Sequence, residues 1–442
     1  MRTADTQLLE KHLRELTEHI GVRLAGSDNE RRAAAYLDQT FRSYGASSHI
    51  EEFPVWERAV EAELLEVEIG GGWKTFPCSL FGSAPGTGGK TLEGELCFFE
   101  SAVDYQRPDL SYLKGKAVVH LGCHIESDDG YRRLMQAGPA FLLFVDVRYP
   151  GTAALADGLF PSNVAKFGAK PTVNVAYQDA WAWKRDGATA ARLSVKGDRR
   201  RSSSQNVIGE IPGTDPGAGV VYAGGHHDTQ AGSVGADDNA TGSVALLELA
   251  RIFSGRKLKR TLRLISFGAE EQLSVGSAAY VRAHREEVAA DGVFMFNFDS
   301  YGSLLGWTEI NYNGDEAIEG LVKPCFERRN IYSRFSSEVI PYTDQFAFAA
   351  AGVPGLWVWR RNCEAGRFFH HRHDDNIDIL SLELVARHID AAAEFIANIA
   401  DAPALPFDKT MPEPQASKIK QSWESLFGGW QGALAPTSHP GT

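Results

Sequence analysis

The sequence predicts an α/β protein: a mixed, mainly parallel sheet with helices on both faces, interrupted by a smaller β-rich insertion. Two changes of texture and the chain length lead there. From Asn206 to about Ala402, short apolar runs alternate with helical segments, the pattern of strand–helix units whose strands are covered on both faces. From about Ala59 to Arg201, short strands and Gly/Pro-rich loops such as GSAPGTGGK dominate instead. At 442 residues the chain exceeds what one core usually serves. The expected division is a main α/β domain from 1–58 and 202–402, an insertion at 59–201, and a tail at 403–442.

The elements follow in order. The first twenty residues place Leu8, Leu9, Leu13, Leu16 and Ile20 at helical spacing. A second helix runs to about Tyr44 behind a cap at Ser27 or Asp28, and HIEEFPV alternates like a strand. The insertion offers strands at ELLEVEI, AVVHLG, FLLFVD and ARLSVKG. The run GDRRRSSSQ, with Arg199–Arg201, reads as a solvated linker at the domain boundary. Beyond it come the strand GVVYAGG, the helix TGSVALLELARIF, the strand TLRLISFG, one helix over VGSAAYVRAHREEV, and the strand GVFMFNFD. The short helix TDQFAFAAAG, the strand GLWVWR and the long helix LSLELVARHIDAAAEFIANIA complete the pattern. In the tail, SKIKQSWESLFGGW has the text of a short amphipathic helix.

A formal net charge of −12 argues against a nucleic-acid partner. No stretch reaches the ~18 apolar residues of a membrane span, and the N-terminus lacks the apolar core of a secretion signal. Cys78, Cys97, Cys123, Cys325 and Cys363 form no CxxC pair. They read as free thiols, buried small hydrophobes at Cys123 and Cys363, in a cytoplasmic protein. The sequence leaves the oligomeric state open, a homo-oligomer included.

The chemistry lies where the strands end. GVVYAGG runs into His226, His227 and Asp228; TLRLISFGA into Glu270 and Glu271; GVFMFNF into Asp299. The loop GADDNATG carries Asp237 and Asp238, and FFHHRHDDNID follows the last strand. Carboxylates at the ends of apolar strands are costly unless paired or metal-bound. His with Asp and Glu, without Cys, suits Zn²⁺. Five ligands with one bridging carboxylate supply three to each of two metals, a hydrolytic arrangement with metals about 3.5–4 Å apart. Tandem Glu-Glu lets one carboxylate ligate while the other takes a proton from water.

These motifs, in this order and spacing, resemble the co-catalytic zinc aminopeptidase family, which includes leucyl-type aminopeptidases, aminopeptidase Y and the glutamate carboxypeptidases. The resemblance is close over about residues 205–400. It implies a zinc exopeptidase fold, two Zn²⁺ per chain and a peptide substrate. It implies that His226 and Asp299 hold the first zinc, that Glu271 and His371 hold the second, and that Asp238 bridges them across a cis Asp238–Asn239 peptide. Asp228 would orient His226 from behind, and Glu270 would be the general base. Of His370, His371 and His373, His371 places acids at Asp375 and Asp378 as the family pattern wants. The stretch EEQLSVGS departs from the family text at Gln272 and Ser274. PYTDQFAFAAAG is similar to a family stretch that borders the substrate, which nominates Tyr342, Thr343 and Asp344. LKGKAVVHLG with MQAGPAFLLFVD is similar to the protease-associated domain, which would occupy the insertion.

Bland readings stand beside these. Asp237 reads as an exposed loop acid or helix N-terminal charge, Asp375 and Asp378 as caps of the final helix, and Trp357 and Trp359 as sheet packing. The leading function is an aminopeptidase. A carboxypeptidase or dipeptidase on the same metals is the alternative, since Arg360, Arg361 and Arg367 lie near the last motif. A single-zinc glutaminyl cyclase and a metal-free receptor are further off.

Overall fold

In a computed structural model, residues 2–122, 124–125, 127–149, 159–364 and 366–432 are described; Cys123 and the end of the tail lie outside them. The chain folds into two compact units. One comprises Met1–Phe53, Ser204–Glu270 and Ser274–Trp423; the other comprises Pro54–Ser203, Glu271–Leu273 and Glu424–Thr442.

Two long strands, β1 (Ser47–Ile69) and β8 (Ala190–Ile211), carry the chain from the first unit into the second and back. HIEEFPV and ELLEVEI are thus one strand, not two. Within the second unit, β1 pairs antiparallel with β2 (Gly72–Phe76). A further series runs through β3 (Ser79–Leu80), β4 (Thr91–Glu100), β5 (Ala117–Gly122), β6 (Phe141–Asp146) and β7 (Thr172–Asn174). β4 to β7 are parallel, β3 is antiparallel to β7, and β4 is antiparallel to β8. Their core is apolar, with His120 stacked between Phe99 and Phe144. Burial lowers that imidazole to about 4, so it packs as a neutral ring.

The run Arg199–Arg201 is not a linker; it lies inside β8. Arg200 pairs with Glu57 at 2.6 Å, and the Arg199 guanidinium sits 4.3 Å over the Trp56 ring. Long cationic side chains on a strand satisfy themselves against a neighbouring strand, and composition alone does not separate that from a solvated loop.

The first unit is built on β9 (Val220–His226), β10 (Thr261–Phe267), β11 (Gly292–Phe298), β12 (Trp307–Asn313), β13 (Ser333–Ser336) and β14 (Gly355–Arg361), in the order β13-β12-β14-β11-β9-β10-β8. The pairings β12–β13, β14–β11, β11–β9 and β9–β10 are parallel; β12–β14 and β10–β8 are antiparallel. The sheet is therefore mixed and mainly parallel. Alternation places Val221 and Ala223 against the helix Thr241–Phe253, in one core with Leu384–Ala400 of the final helix and with Leu9, Leu13, Leu37 and Phe41 of the N-terminal helices. The opposite residue of β9, Tyr222, packs on Phe348 and Tyr280 of the helices Gln345–Ala350 and Val275–Ala283. Helices thus cover both faces.

Local signals explain most ends. Ser27 caps its helix by accepting from Glu30 N, and Ser381 caps the final helix by accepting from Leu384 N. The expected single helix over VGSAAYVRAHREEV breaks at His284 into Val275–Ala283 and Arg285–Asp291. There the His284 imidazole meets Glu51 at 2.9 Å. The helix Ala317–Glu327 and strands β12 and β13 carry no clear periodicity, and the sequence does not predict them. The tail text forms the helix Glu413–Leu426. Its Trp423 is buried against Phe346 and under the Arg282 guanidinium. No helix among the described residues is long and apolar enough to cross a membrane. The described cysteines are free.

Candidate metal centre

Three adjacent parallel strands, β10, β9 and β11, end at one edge of the sheet, and each delivers an ionisable group there. This is the edge where α/β sheets collect ligands. His226 is the last residue of β9, Asp299 follows β11 directly, and Glu270 lies three residues beyond β10. Gly225 makes the approach possible. A Cβ there would stand 2.8 Å from Phe298 O and 3.1 Å from the Gly242 Cα, so only glycine lets the strand meet the incoming helix.

His226 is fully buried. Its Nε2 lies 3.2 Å from Asp238 Oδ1, 3.8 Å from Glu270 Oε2 and 3.9 Å from Asp299 Oδ1. Behind it, Nδ1 is 3.2 Å from the Asp228 carbonyl and 3.5 Å from the Asp228 carboxylate. That carboxylate also accepts from Glu270 N at 2.9 Å, so Asp228 ties the histidine to the glutamate.

Asp238 sits in the turn before the helix Thr241–Phe253, and its peptide to Asn239 is cis. Asn239 anchors the turn, donating to Phe298 O and accepting from Gly242 N, both at 2.8 Å. Asp375 grips it from the other side. Its carboxylate accepts from Asp237 N at 2.8 Å and from Asp238 N at 3.0 Å. Asp375 therefore does not cap the final helix. Asp237 is likewise buried, accepting from Gly302 N at 2.7 Å; neither acid is a solvent-facing charge.

The other oxygen of Asp238 faces three cationic or imidazole groups. His370 Nε2 is 3.4 Å away, His371 Nε2 3.6 Å, and the Arg367 guanidinium 3.6 Å. Arg367 also reaches Asp299 Oδ1 at 3.2 Å and Ser300 Oγ at 2.5 Å. Burial raises the Asp238 carboxyl, but the charges of Arg367, His226 and His371 more than offset that and hold it below the usual carboxylate range. Asp299 moves the other way, raised by burial and by the Asp238 charge.

A metal fits this arrangement. His226, Asp238 and Asp299 form one potential ligand group, and Asp238, His370 and His371 form another, sharing Asp238. His226 Nε2 and Asp238 Oδ2 are buried without a hydrogen-bond partner. A tetrahedral shell with ~2.1 Å bonds has ligand–ligand edges of roughly 3.4 Å. The edges found, 3.2 and 3.9 Å in one group and 3.4 and 3.6 Å in the other, bracket that length and suit a shared cation.

Of the residues read from the sequence, the structure thus brings together His226, Asp228, Asp238, Glu270, Asp299 and His371. Glu271 is buried and belongs to neither ligand group. In the stretch nominated to border a substrate, Asp344 is fully buried, Thr343 nearly so and Tyr342 half-buried. Trp357 and Trp359 stack on each other at 5.0 Å, and the Trp357 indole donates to Asp299 O at 3.1 Å. No sequence signal places Arg367 against Asp238, sets His370 beside His371, or gives the roles of Ser274 and Asp375. Ser274 Oγ donates to Glu270 Oε1 at 3.0 Å. Contacts of this kind depend on loop conformation, which carries no periodic signal.

Residues 206–396 match Peptidase family M28, a span that holds every group described above. The chain is similar to Aminopeptidase YwaD of Bacillus subtilis, 23% identical over 93% of this chain and 88% of that protein. It is also similar to Carboxypeptidase Q of Mus musculus, 26% identical over 83% of this chain and 80% of that one. A solved structure of the Bacillus subtilis zinc aminopeptidase BSAP superposes with a TM-score of 0.73 over 93% of this chain and 98% of that chain, at 19% identity, and shares the fold. Ligand-bearing strand ends and fold agree with that match: residues 206–396 are the part of the chain that peptidase family M28 describes.

Proposed function

We propose that this protein is a two-zinc exopeptidase that removes residues from the amino terminus of peptides. One observation carries the reading: two potential ligand groups share the buried Asp238, with the Glu270 carboxylate 3.8 Å from a ligand nitrogen of the first. His226, Asp238 and Asp299 would hold one zinc; Asp238 and His371 would hold the other, with Glu271, which stands outside the observed groups, as the further ligand that the family resemblance implies. The bound ions would polarise the scissile carbonyl and make water acidic near neutral pH. Glu270 then takes a proton from the attacking water as its oxygen bonds to the carbonyl carbon. It returns that proton to the amine nitrogen as the C–N bond breaks. Asp228 and Ser274 keep Glu270 in place through its backbone N–H and its Oε1. A carboxylate-rich site suits a protonated terminal amine, and the aminopeptidase YwaD is a relative over most of the chain.

A second reading is a carboxypeptidase or dipeptidase on the same metals. Arg367 supports it, since a guanidinium 3.2 Å from Asp299 could turn to a terminal carboxylate, and carboxypeptidase Q is also a relative. The free thiols suit a reducing compartment. The deciding experiment assays aminoacyl-anilides, blocked peptides with free carboxyl ends and dipeptides, each with and without a chelator. Chelator-sensitive release from the anilides supports the leading reading. Turnover confined to the blocked peptides selects the second, and turnover untouched by chelation removes both.

A further inference from the structure

We propose that the N-terminal segment 23–30, which lies outside the matched span 206–396, is a positioning clamp for the metal centre. Arg23 sets the spacing of the first ligand pair, and Glu30 sets the general base. Both act through other residues, and the inference rests on the metal-centre reading above. Both residues and every segment they hold belong to the first unit. Arg23 is fully buried. Its guanidinium donates to five carbonyl oxygens. That of His227, at 2.6 Å, lies between the ligand His226 and Asp228. Those of Val234 and Gly235, at 2.8 and 3.2 Å, open the turn that presents Asp238. Leu16 and Gly21 supply the other two and tie the group to its own end of the chain. The main chain joins in: Arg23 N donates to Thr229 Oγ1 at 2.9 Å, and Thr229 N donates to Arg23 O at 3.1 Å. One planar fork thus spans the end of β9 and the start of the Asp238 turn. Those are the two places whose side chains, His226 and Asp238, meet at 3.2 Å. A buried guanidinium is costly, and an apolar side chain of similar volume would fill the same space. It would lack the donors that fix two loops at one distance.

Glu30 does the same for the base. It is fully buried in the first turn of the helix Asp28–Ser43. One carboxyl oxygen accepts from Gly26 N at 2.6 Å. The other accepts from Ser204 Oγ at 2.5 Å and from Ala269 N at 3.3 Å. Ala269 has φ +51°, in the left-handed region that a residue with a Cβ seldom adopts. Beside it, a Cβ on Gly268 would stand 2.7 Å from Glu30 Oε1 and 2.2 Å from Ser204 Oγ, so the turn rests directly on these two groups. Successive N–H groups of the turn, on Ala269 and Glu270, therefore go to two buried carboxyl groups, Glu30 and Asp228. The turn held in this way aims the Glu270 carboxylate at His226.

The test uses the full chain as wild type, Arg23→Lys, Arg23→Gln and Glu30→Gln. Phe326→Ala, a core truncation in the helix Ala317–Glu327, controls for lost packing. Zinc affinity is measured by competition with a chromophoric chelator. Turnover is measured on the peptide substrate that the wild type cleaves with chelator sensitivity, and melting of the metal-free proteins by circular dichroism. Lys keeps the charge without the fork and Gln keeps neither, so both Arg23 variants should lose about 10–100-fold in zinc affinity. In Glu30→Gln the amide turns its N–H groups toward the N–H of either Gly26 or Ala269. That variant should keep wild-type zinc affinity and KM and lose on the order of 10-fold in kcat. Phe326→Ala should melt lower and keep both zinc affinity and kcat. Arg23→Lys and Glu30→Gln are the milder changes and decide the matter where Arg23→Gln does not fold. Wild-type zinc affinity in a folded Arg23 variant, or a Glu30→Gln that lowers only the melting temperature, would overturn the clamp. So would a Phe326→Ala with equal losses of zinc affinity and kcat, since stability alone would then explain them. A wild type with neither bound zinc nor chelator-sensitive turnover overturns the metal-centre reading itself, and the wild-type measurements alone tell the two failures apart.

Discussion

At the residue scale, the chemistry turns on one carboxylate and the groups that hold it. Glu270 takes a hydrogen bond from Ser274 Oγ on one oxygen, while its other oxygen faces His226. Replacing it by Gln keeps shape and removes the proton acceptor, so Glu270→Gln should retain two metals and lose about 10²–10⁴-fold in kcat. Near-normal turnover in that variant would remove Glu270 from the mechanism. Ser274 allows a sharper separation of structure from function. Its φ of +54° favours glycine, so Ser274→Gly should leave the melting temperature unchanged or raise it. The same change deletes the hydroxyl that fixes Glu270, and kcat should fall several-fold with KM unchanged. A residue with only a structural role would show the stability gain without the loss of turnover. The ionisable residues themselves are legible in the sequence, because His226, Glu270 and Asp299 interrupt apolar runs where charge is expensive. Their supports are not, because a serine, an arginine or a second histidine in a loop reads the same whether or not it points inward.

At the element scale, the site depends on a turn gripped by a loop far away in sequence. The Asp375 carboxylate accepts both the Asp237 and the Asp238 N–H and so sets where the bridging carboxylate stands. Such hydrogen bonds contribute about 0.5–1.5 kcal/mol each. Asp375→Asn keeps one acceptor oxygen and turns the other into a donor facing a buried N–H. It should lower metal affinity about 10–100-fold, as changes behind a ligand do, and lower the melting temperature even without metal. Unchanged metal affinity, measured by chelator competition, would reduce Asp375 to an ordinary buried acid. The strands that carry ligands are readable because a continuous apolar run bounded by glycine fits only a strand covered on both faces. β12, β13 and the helix Ala317–Glu327 are not. They lie toward the sheet edge, where partly exposed residues such as Trp307 and Glu309 break up the continuous apolar run that marks the central strands. β8 misleads for the opposite reason. Its arginines find acidic and aromatic neighbours on another strand, and no local rule foretells a partner some 140 residues away.

At the scale of the whole molecule, two separate apolar cores underlie the two units. The change of texture near Ala59 and Arg201 reflects that division. The long strands β1 and β8 run through both places, so no loop marks either boundary. Both potential ligand groups belong to the first unit. There Asp228, Asp237, Asp238, Asp299, Asp344 and Asp375 are all buried, and burial raises Asp237 and Asp344 to about 7. A cation bound only in the folded state stabilises it by RT ln(1 + [L]/Kd), about 4 kcal/mol at a thousandfold excess over Kd. It also relieves the crowding of those acids. Calorimetry of the zinc-loaded chain at pH ~7.5 should therefore show two transitions. Chelation should lower one by roughly 10 °C, at a few degrees per kcal/mol for units of this size, and leave the other in place. A single transition that moves as a whole would mean that the cores unfold together. Two transitions that both ignore the chelator would mean that the buried acids hold no metal.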